Sequence, residues 1–170
     1  MGTSPRSDLM SSDALFVPKT AVVVSVADAA GREHRAEIFV EDHETLQLVL
    51  QSRAFVPLRR QDEAGKDLGI EFLARRTILW VRLDLLTALD EFDLEAESSA
   101  EGRAAQVRLS FVGAAPVEGM IRYLRPAESR RLSDYLESLP PFFPVRTPDY
   151  VYLVARDHVL LVEPIVEVLR

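Results

Sequence analysis

The sequence contains no cysteine, only three histidines and a single tryptophan in 170 residues. Without cysteine the chain forms no disulfide and offers no thiolate as a nucleophile or a metal ligand. No apolar run approaches the roughly 20 residues that a membrane-spanning helix needs, and residues 1–18 lack the features of a secretory signal. These absences predict a soluble, cytoplasmic protein.

The motifs of the common enzyme classes are also missing. There is no Gly-x-Ser-x-Gly elbow, no phosphate-binding loop and no Gly-x-Gly-x-x-Gly fingerprint. None of the histidines has a second histidine at ligand spacing. The segment Glu41-Asp42-His43-Glu44 is interpreted as a solvated acidic loop, because consecutive side chains in a turn point in different directions. We therefore expect no catalytic activity, no metal and no cofactor.

Negative charge predominates, and most of the excess lies between two nearly balanced halves. Acidic residues outnumber basic ones by 27 to 20, and residues 85–104 alone contain six acidic residues and one basic residue. Residues 105–166 contain seven of each, and residues 20–84 contain eleven acidic and nine basic residues. Neither half has the basic excess that is typical of nucleic-acid binding. Nucleic acid is therefore not expected as a partner.

The two halves resemble each other in sequence, which predicts an internal duplication. Val22 to Glu41 aligns with Val107 to Pro126 without a gap, and further matches follow in the same order after short insertions. The later matches pair Phe55, Pro57, Arg59, Ala74 and Arg75 with Phe142, Pro144, Arg146, Ala155 and Arg156. The alternative is two unrelated β segments that look alike.

Each copy has the pattern of a β-β-α-β-β-β module. Runs of β-branched residues predict a first hairpin, and Leu132, Leu136 and Leu139 show the spacing of a short helix in the second copy. The Phe-x-Pro-x segment is extended, with proline suited to a strand edge. A second hairpin, turning at Arg75–Arg76 or Arg156–Asp157, closes each copy. The predicted fold is mainly β (α+β), with two small bent sheets or barrel-like units packed together.

These elements divide the chain into four parts. Residues 1–19 are a predicted flexible tail, and residues 20–84 and 105–170 are the two modules. Residues 85–104 form an acidic linker that begins with a short helix, or alternatively a solvated tether. Apolar side chains outside the modules are candidate partner-binding residues: Leu15 and Phe16 in the tail, and Leu85, Leu89 and Phe92 in the linker.

Parts of the pattern resemble known families. The second copy, with its segments RLSDYLES, PFFPV and YLVARDHVLLVE, is similar to small uncharacterised bacterial domains. The segments 72–81 and 152–162 also resemble the second signature of Sm-like barrels, in which a strand ends in an arginine-containing turn. Sm-like proteins place glycine after that arginine, whereas this chain has Arg76 and Asp157. The resemblance implies a small, strongly bent sheet, but its RNA-reading residues do not carry over.

Four arginines stand at matching places in the two copies. Arg59 and Arg146 follow the Phe-x-Pro-x strand, and Arg75 and Arg156 begin the closing turns. Guanidinium groups bind carboxylate or phosphate through paired hydrogen bonds, so these residues are candidate anion ligands. The alternative is that each caps a strand end or pairs with a local acid. The pair at 59–60 is also similar to the arginine motif of PilZ domains, but the companion motif is missing here.

The sequence therefore predicts a non-catalytic protein-interaction or assembly module of a bacterial cytoplasmic complex. Such a module self-associates or binds a protein partner through exposed sheet edges and apolar surface. The alternative is a ligand- or RNA-binding Sm-like module that uses the duplicated arginines. The charge distribution favours the first interpretation.

Overall fold

A computed structural model describes residues 19–41, 43–91, 102–124 and 132–168. In these segments ten strands form one antiparallel sheet, accompanied by short helices. The strands are β1 (Lys19–Asp28), β2 (Glu33–Glu41), β3 (Phe55–Gln61), β4 (Asp67–Ala74), β5 (Ile78–Asp84), β6 (Gly102–Phe111), β7 (Val117–Leu124), β8 (Phe142–Arg146), β9 (Tyr150–Ala155) and β10 (Val159–Val168). The α-helices are α1 (Leu46–Ser52), α2 (Leu85–Glu91) and α3 (Leu132–Glu137). Two short 3₁₀ turns, the first at Arg75–Thr77 and the second at Arg156–His158, precede β5 and β10.

The predicted fold class is confirmed, because the protein is mainly β and both halves follow the order β-β-α-β-β-β. Across the sheet the strands lie in the order β10-β6-β7-β8-β9-β5-β1-β2-β3-β4. Strands at the same place in the two halves also pair alike. Phe55 lies opposite Ala74 at the start of β3, and Phe142 lies opposite Ala155 at the start of β8.

Pairing across the sheet corrects the alignment of the first strands by two residues. Ala27 lies opposite Trp80 between β1 and β5, and Ser110 lies opposite Leu161 between β6 and β10. Since Trp80 and Leu161 occupy the same place after their 3₁₀ turns, Ala27 corresponds to Ser110. The sequence alignment had matched Ser110 with Ser25.

Each half of the sheet curls strongly, because two strands that lie far apart in the sheet are joined by only three residues. The first 3₁₀ turn connects β4 to β5, yet β3, β2 and β1 lie between them. Four steps of about 4.8 Å would separate these strands by about 19 Å in a flat sheet. A 3₁₀ helix rises only about 2 Å per residue, so three residues do not span that distance. Each half therefore bends back on itself.

The predicted closing hairpins are wrong. β4 pairs with β3, whereas β5 pairs with β1 and β9. In the second half, β9 pairs with β8 and β5, and β10 pairs with β6. The tight turn carries the chain across the mouth of the curl to β1 or β6, whose free side provides the hydrogen-bonding partner. Neither curl closes into a barrel.

Two hydrophobic cores fill the two curls, and each core takes side chains from both halves of the chain. The first core, inside the curl of β1 to β5, receives four residues from the second half. The second core, inside the curl of β6 to β10, receives three residues from the first half. We call these seven the exchanged residues: Phe142, Val151, Leu153 and Ala155 in the first core, and Ala27, Leu79 and Trp80 in the second.

The two halves meet at the pairing of β5 with β9, which we call the internal junction. Its register runs from Trp80 opposite Val154 to Asp84 opposite Tyr150. The Trp80 ring contacts the Tyr152 ring edge-on, with 5.2 Å between the centroids. The halves thus form one continuous sheet whose cores are shared.

Helix α2 lies at the start of the predicted acidic linker, where the sequence predicts a helix. Ala88 is buried in the first core, and Leu85 packs against that core. Leu85 also donates its backbone N–H to the Asp149 carbonyl oxygen at 3.1 Å. The helix therefore continues the contact between the halves. Of the rest of the predicted linker, residues 92–101 lie outside the described segments and residues 102–104 belong to β6.

Candidate functional site

Arg75 and Arg156 make equivalent contacts at the two 3₁₀ turns. The Arg75 guanidinium donates a hydrogen bond to the carbonyl oxygen of Gln51, near the end of α1. The Arg156 guanidinium donates to the carbonyl oxygen of Leu139, just after α3, at 2.7 Å. These bonds tie each turn to the end of the preceding helix.

The four candidate arginines do not all come together. The two 3₁₀ turns are neighbours, because the Nε2 atom of His158 lies 2.6 Å from the carbonyl oxygen of Arg76. Arg59 lies on β3, where its guanidinium forms an ion pair with Glu37 at 3.3 Å. Arg146 ends β8, and four strands separate β8 from β3. Binding of an anion by these residues stays a prediction.

The predicted partner-binding residues are only partly described by the structure. Leu85 packs against the first core and is half-buried, so only part of it remains for a partner. Leu89 lies in α2, but its side chain is outside the described part of the structure. Leu15, Phe16 and Phe92 also lie outside the described residues.

A small cleft of about 120 Å³ lies at the end of the first curl, beside the turn between β1 and β2. Its main group is the buried Asp28 carboxylate, which accepts hydrogen bonds from the Arg32 guanidinium at 2.9 Å and from the backbone N–H of Ala30 at 2.9 Å. Burial raises the pKa of Asp28, but hydrogen bonds from Arg32, Ala30 and His34 outweigh burial and lower the pKa to about 2. Sites for small molecules usually measure about 300–1,000 Å³, so this cleft holds an ion-pair network rather than a ligand pocket.

The two edges of the sheet are the feature that sequence reasoning did not locate. Among the described strands, β4 has a neighbour only on the β3 side, and β10 has a neighbour only on the β6 side. An unpaired strand edge presents backbone N–H and C=O groups to any chain that adopts an extended conformation. The outer sides of β4 and β10 are therefore the candidate binding edges.

Large apolar side chains are exposed along both edges. The β4 edge carries Leu68, Ile70 and Phe72, and Phe55 on β3 adds to the same surface. The β10 edge carries Leu160, Leu161 and Ile165, and a cleft of about 230 Å³ beside it is lined in part by Val112 and Leu79. A soluble monomer rarely keeps extended apolar patches in water unless they bind something.

Charged side chains on the two edges oppose non-specific association through these exposed apolar residues. Glu71 on β4 forms an ion pair with Arg60 of the neighbouring strand at 3.2 Å. Glu163 on β10 lies opposite Arg108 of β6. Pro164 follows, and proline has no N–H to give to a ladder. Charged residues and proline on edge strands disfavour indiscriminate pairing, so these edges favour a specific partner.

The described segments contain no group of three His, Asp or Glu side chains arranged as metal ligands. In that part of the chain, no helix is both long enough and apolar enough to cross a membrane.

These features define an open, doubly curled antiparallel sheet with two apolar edges. Comparison of the chain with family models, with curated proteins and with solved structures finds no match.

Proposed function

We propose that this protein is a non-catalytic assembly module that binds other polypeptide chains by strand addition at its β4 and β10 edges. The observation that carries the proposal is the combination, at both ends of one sheet, of an unpaired strand and exposed apolar side chains. In strand addition, backbone hydrogen bonds supply affinity and the alternating side chains supply specificity. Both components are present at each edge.

The shared architecture supports a rigid binding platform. The β5–β9 pairing runs through the middle of the sheet, and buried side chains from each half fill the core of the other. Both edges therefore belong to one framework and present their backbone groups in a fixed orientation. A pre-organised edge binds with less loss of conformational freedom than a flexible segment does.

Site-specific photo-crosslinking in native cells tests this proposal. A photoreactive amino acid replaces Ile70 on the β4 edge or Leu161 on the β10 edge, and the control replaces Val23 on β1, which lies opposite Glu37 of β2 and away from both edges in the strand order. All three side chains are exposed. We expect protein adducts from positions 70 and 161 and none from position 23. Equal labelling at all three positions, or no adducts at the edges, would contradict the proposal.

Binding of RNA or another anion through the arginines is the second candidate function. The contact between His158 and the Arg76 carbonyl favours it, because it places the turns that begin with Arg75 and Arg156 side by side. The net charge of −7 opposes it. We expect no salt-sensitive binding of single-stranded RNA at micromolar concentration, measured by fluorescence anisotropy. Tight binding that is lost in the Arg75→Glu, Arg156→Glu double variant would favour the second candidate.

A further inference from the structure

The exposed edges of this protein have buried counterparts inside the same molecule. Across the sheet the second half runs β10-β6-β7-β8-β9, and the first half runs β5-β1-β2-β3-β4. By position in these two series, β9 corresponds to β4 and β10 corresponds to β5. The internal junction pairs β9 of the second half with β5 of the first half. The two strands left free, β4 and β10, are the two complementary sides of that same junction.

The exchanged residues show what the free edges lack. Each exchanged residue is buried against the core of the other half, and each has a counterpart at the same place in its own strand type. The counterparts of Phe142, Val151, Leu153 and Ala155 are Phe55, Ile70, Phe72 and Ala74, and those of Ala27, Leu79 and Trp80 are Ser110, Leu160 and Leu161.

Among the bulky side chains, the exposed fractions of the exchanged residues and of their counterparts do not overlap. The five bulky exchanged residues, Leu79, Trp80, Phe142, Val151 and Leu153, are between 0% and 8% exposed. Their counterparts, Leu160, Leu161, Phe55, Ile70 and Phe72, are between 51% and 70% exposed. The edge residues therefore have the apolar character of residues that insert into the core of a neighbouring module, but no strand of the described segments lies beside them.

We infer that the partner of each edge is a second copy of this chain, with β4 of one copy pairing antiparallel with β10 of the next. The inference rests on the proposed function and names its partner. The internal junction sets the register: Val162 lies opposite Phe72, Leu161 opposite Leu73, and Glu163 opposite Glu71. Ile70 and Phe72 then pack toward the second core of the next copy, as Val151 and Leu153 pack in the first core.

This contact joins two unlike surfaces, so it is head-to-tail rather than symmetric. Repetition of a head-to-tail contact produces a ring if the rotation closes and a filament if it does not. The contact is weaker than the internal junction for two reasons. Pro164 removes one N–H from the ladder, and Glu163 and Glu71 replace the arginine–tyrosine contact between Arg82 and Tyr152. The assembly is therefore reversible and depends on concentration.

Cysteine crosslinking tests both the partner and the register, and the absence of native cysteine removes background. Two single variants are prepared, Phe72→Cys and Val162→Cys, and each is oxidised alone and in an equal mixture. Directly opposite residues on paired strands have Cβ atoms about 4.5–5.5 Å apart, close enough for a disulfide after a small adjustment. We expect a disulfide-linked dimer in the mixture and monomer from each variant alone.

A matched control examines the register. Glu163→Cys mixed with Phe72→Cys places the thiols one residue out of register and on opposite faces of the sheet, so this mixture should give at least tenfold less dimer than the mixture with Val162→Cys. Equal yields from both mixtures, or a dimer formed by Phe72→Cys alone, would overturn the head-to-tail register.

The outcomes also separate this inference from the proposed function. The mixture of cysteine variants could give no disulfide while the cellular photo-crosslinks at positions 70 and 161 link a different protein. In that case the partner is not a second copy of this chain, but the proposal that β4 and β10 bind a protein is retained. If residues 1–18 of the same chain cover an edge, the photo-crosslinks are intramolecular and the mixture gives no dimer. In that case both proposals fail.

Discussion

The internal junction and the two free edges consist of the same strand types, and they differ in what lies beside them. At the junction, Leu153 is fully buried in the first core, whereas its counterpart Phe72 on the β4 edge is 70% exposed. Trp80 is packed against Tyr152, whereas its counterpart Leu161 faces solvent. Burial in this molecule is therefore decided by the neighbouring module and not by the character of the strand. An edge that remains apolar indicates that a neighbour is expected there.

The largest expected effect is a difference in stability between two equivalent positions, Leu153 at the internal junction and Phe72 on the free β4 edge. Leu153→Ala should lower the free energy of unfolding by about 3 kcal/mol, because it leaves a cavity in the first core. Phe72→Ala should change the free energy of unfolding by less than about 0.5 kcal/mol, because it removes an exposed side chain. Urea denaturation at low protein concentration measures both values. Similar losses in the two variants would show that the edge is already buried.

The second effect concerns Asp28, whose buried carboxylate organises the turn between β1 and β2. Its pKa is lowered from 3.8 to about 2, so the charged form stabilises the fold above the unfolded pKa, and this stabilisation is lost as the pH falls from about 4 to 2. The shift corresponds to about 2 kcal/mol. In Asp28→Asn this contribution should be absent at neutral pH, and the pH dependence of unfolding in that window should become flatter.

Asp62 provides the matched control for this measurement. Its carboxylate accepts backbone N–H bonds from Ala64 at 2.9 Å and Lys66 at 2.8 Å, the same pattern that Asp28 shows with Ala30 and Arg32. Asp62→Asn retains an acceptor in a more exposed turn, so its effect on stability should be less than half of that of Asp28→Asn. An equal effect of the two substitutions would mean that the ion pairs around Asp28 contribute little.

The third effect tests whether contact between the halves extends beyond β5 and β9. Gly31 has φ of +74°, and a Cβ atom added there would collide with the carbonyl oxygen of Gly113 in the other half. Gly65 has φ of +80° and open space around it. Alanine is strained at both positions, so Gly65→Ala should cost roughly 1 kcal/mol. Gly31→Ala should cost roughly 1–3 kcal/mol more because of overpacking. Equal melting temperatures of the Gly31→Ala and Gly65→Ala variants would show that the turn at Gly31 does not contact the turn at Gly113.

The smallest effect concerns the register between copies. With Glu163 opposite Glu71, two like charges face each other across the contact, which is destabilising. Glu163→Gln should therefore strengthen self-association by about twofold to fivefold, measured by the concentration dependence of light scattering. The control Glu137→Gln removes an exposed carboxylate from α3, which is not part of the β4 or β10 strand, and should leave association unchanged. Weaker association of Glu163→Gln would contradict the register.

The sequence predicted the strands and helices well because their signals are local. The β-branched run of β1 and the leucine spacing of α3 depend only on neighbouring residues. The pairing of β4 and β5 was wrong because a tight turn at Arg75 indicates a chain reversal, but the curl of the sheet decides which strands become neighbours. The first alignment was shifted by two residues, and such a shift keeps every side chain on its face, so the alternation of apolar residues does not reveal it.

The hydrophobic periodicity did not locate the two free edges for a related reason. Ile70 and Phe72 are as apolar as Val151 and Leu153, and periodicity alone reads both pairs as core. Only the strand order distinguishes a central strand from an edge strand. A usable signal was present in the glutamates and the proline of β10, since such residues are typical of edge strands.

Sedimentation analysis of edge-blocked variants tests the central claim most directly. Phe72→Glu blocks only the β4 edge, and Leu161→Glu blocks only the β10 edge; both positions are exposed, so both variants should fold. The wild-type chain should form species larger than a dimer as its concentration rises, and each variant alone should remain a monomer. An equal mixture of the two variants should form a dimer and nothing larger, because only one intact β4 edge and one intact β10 edge can meet. A monomeric wild-type chain, or a mixture that stays monomeric, would contradict the account.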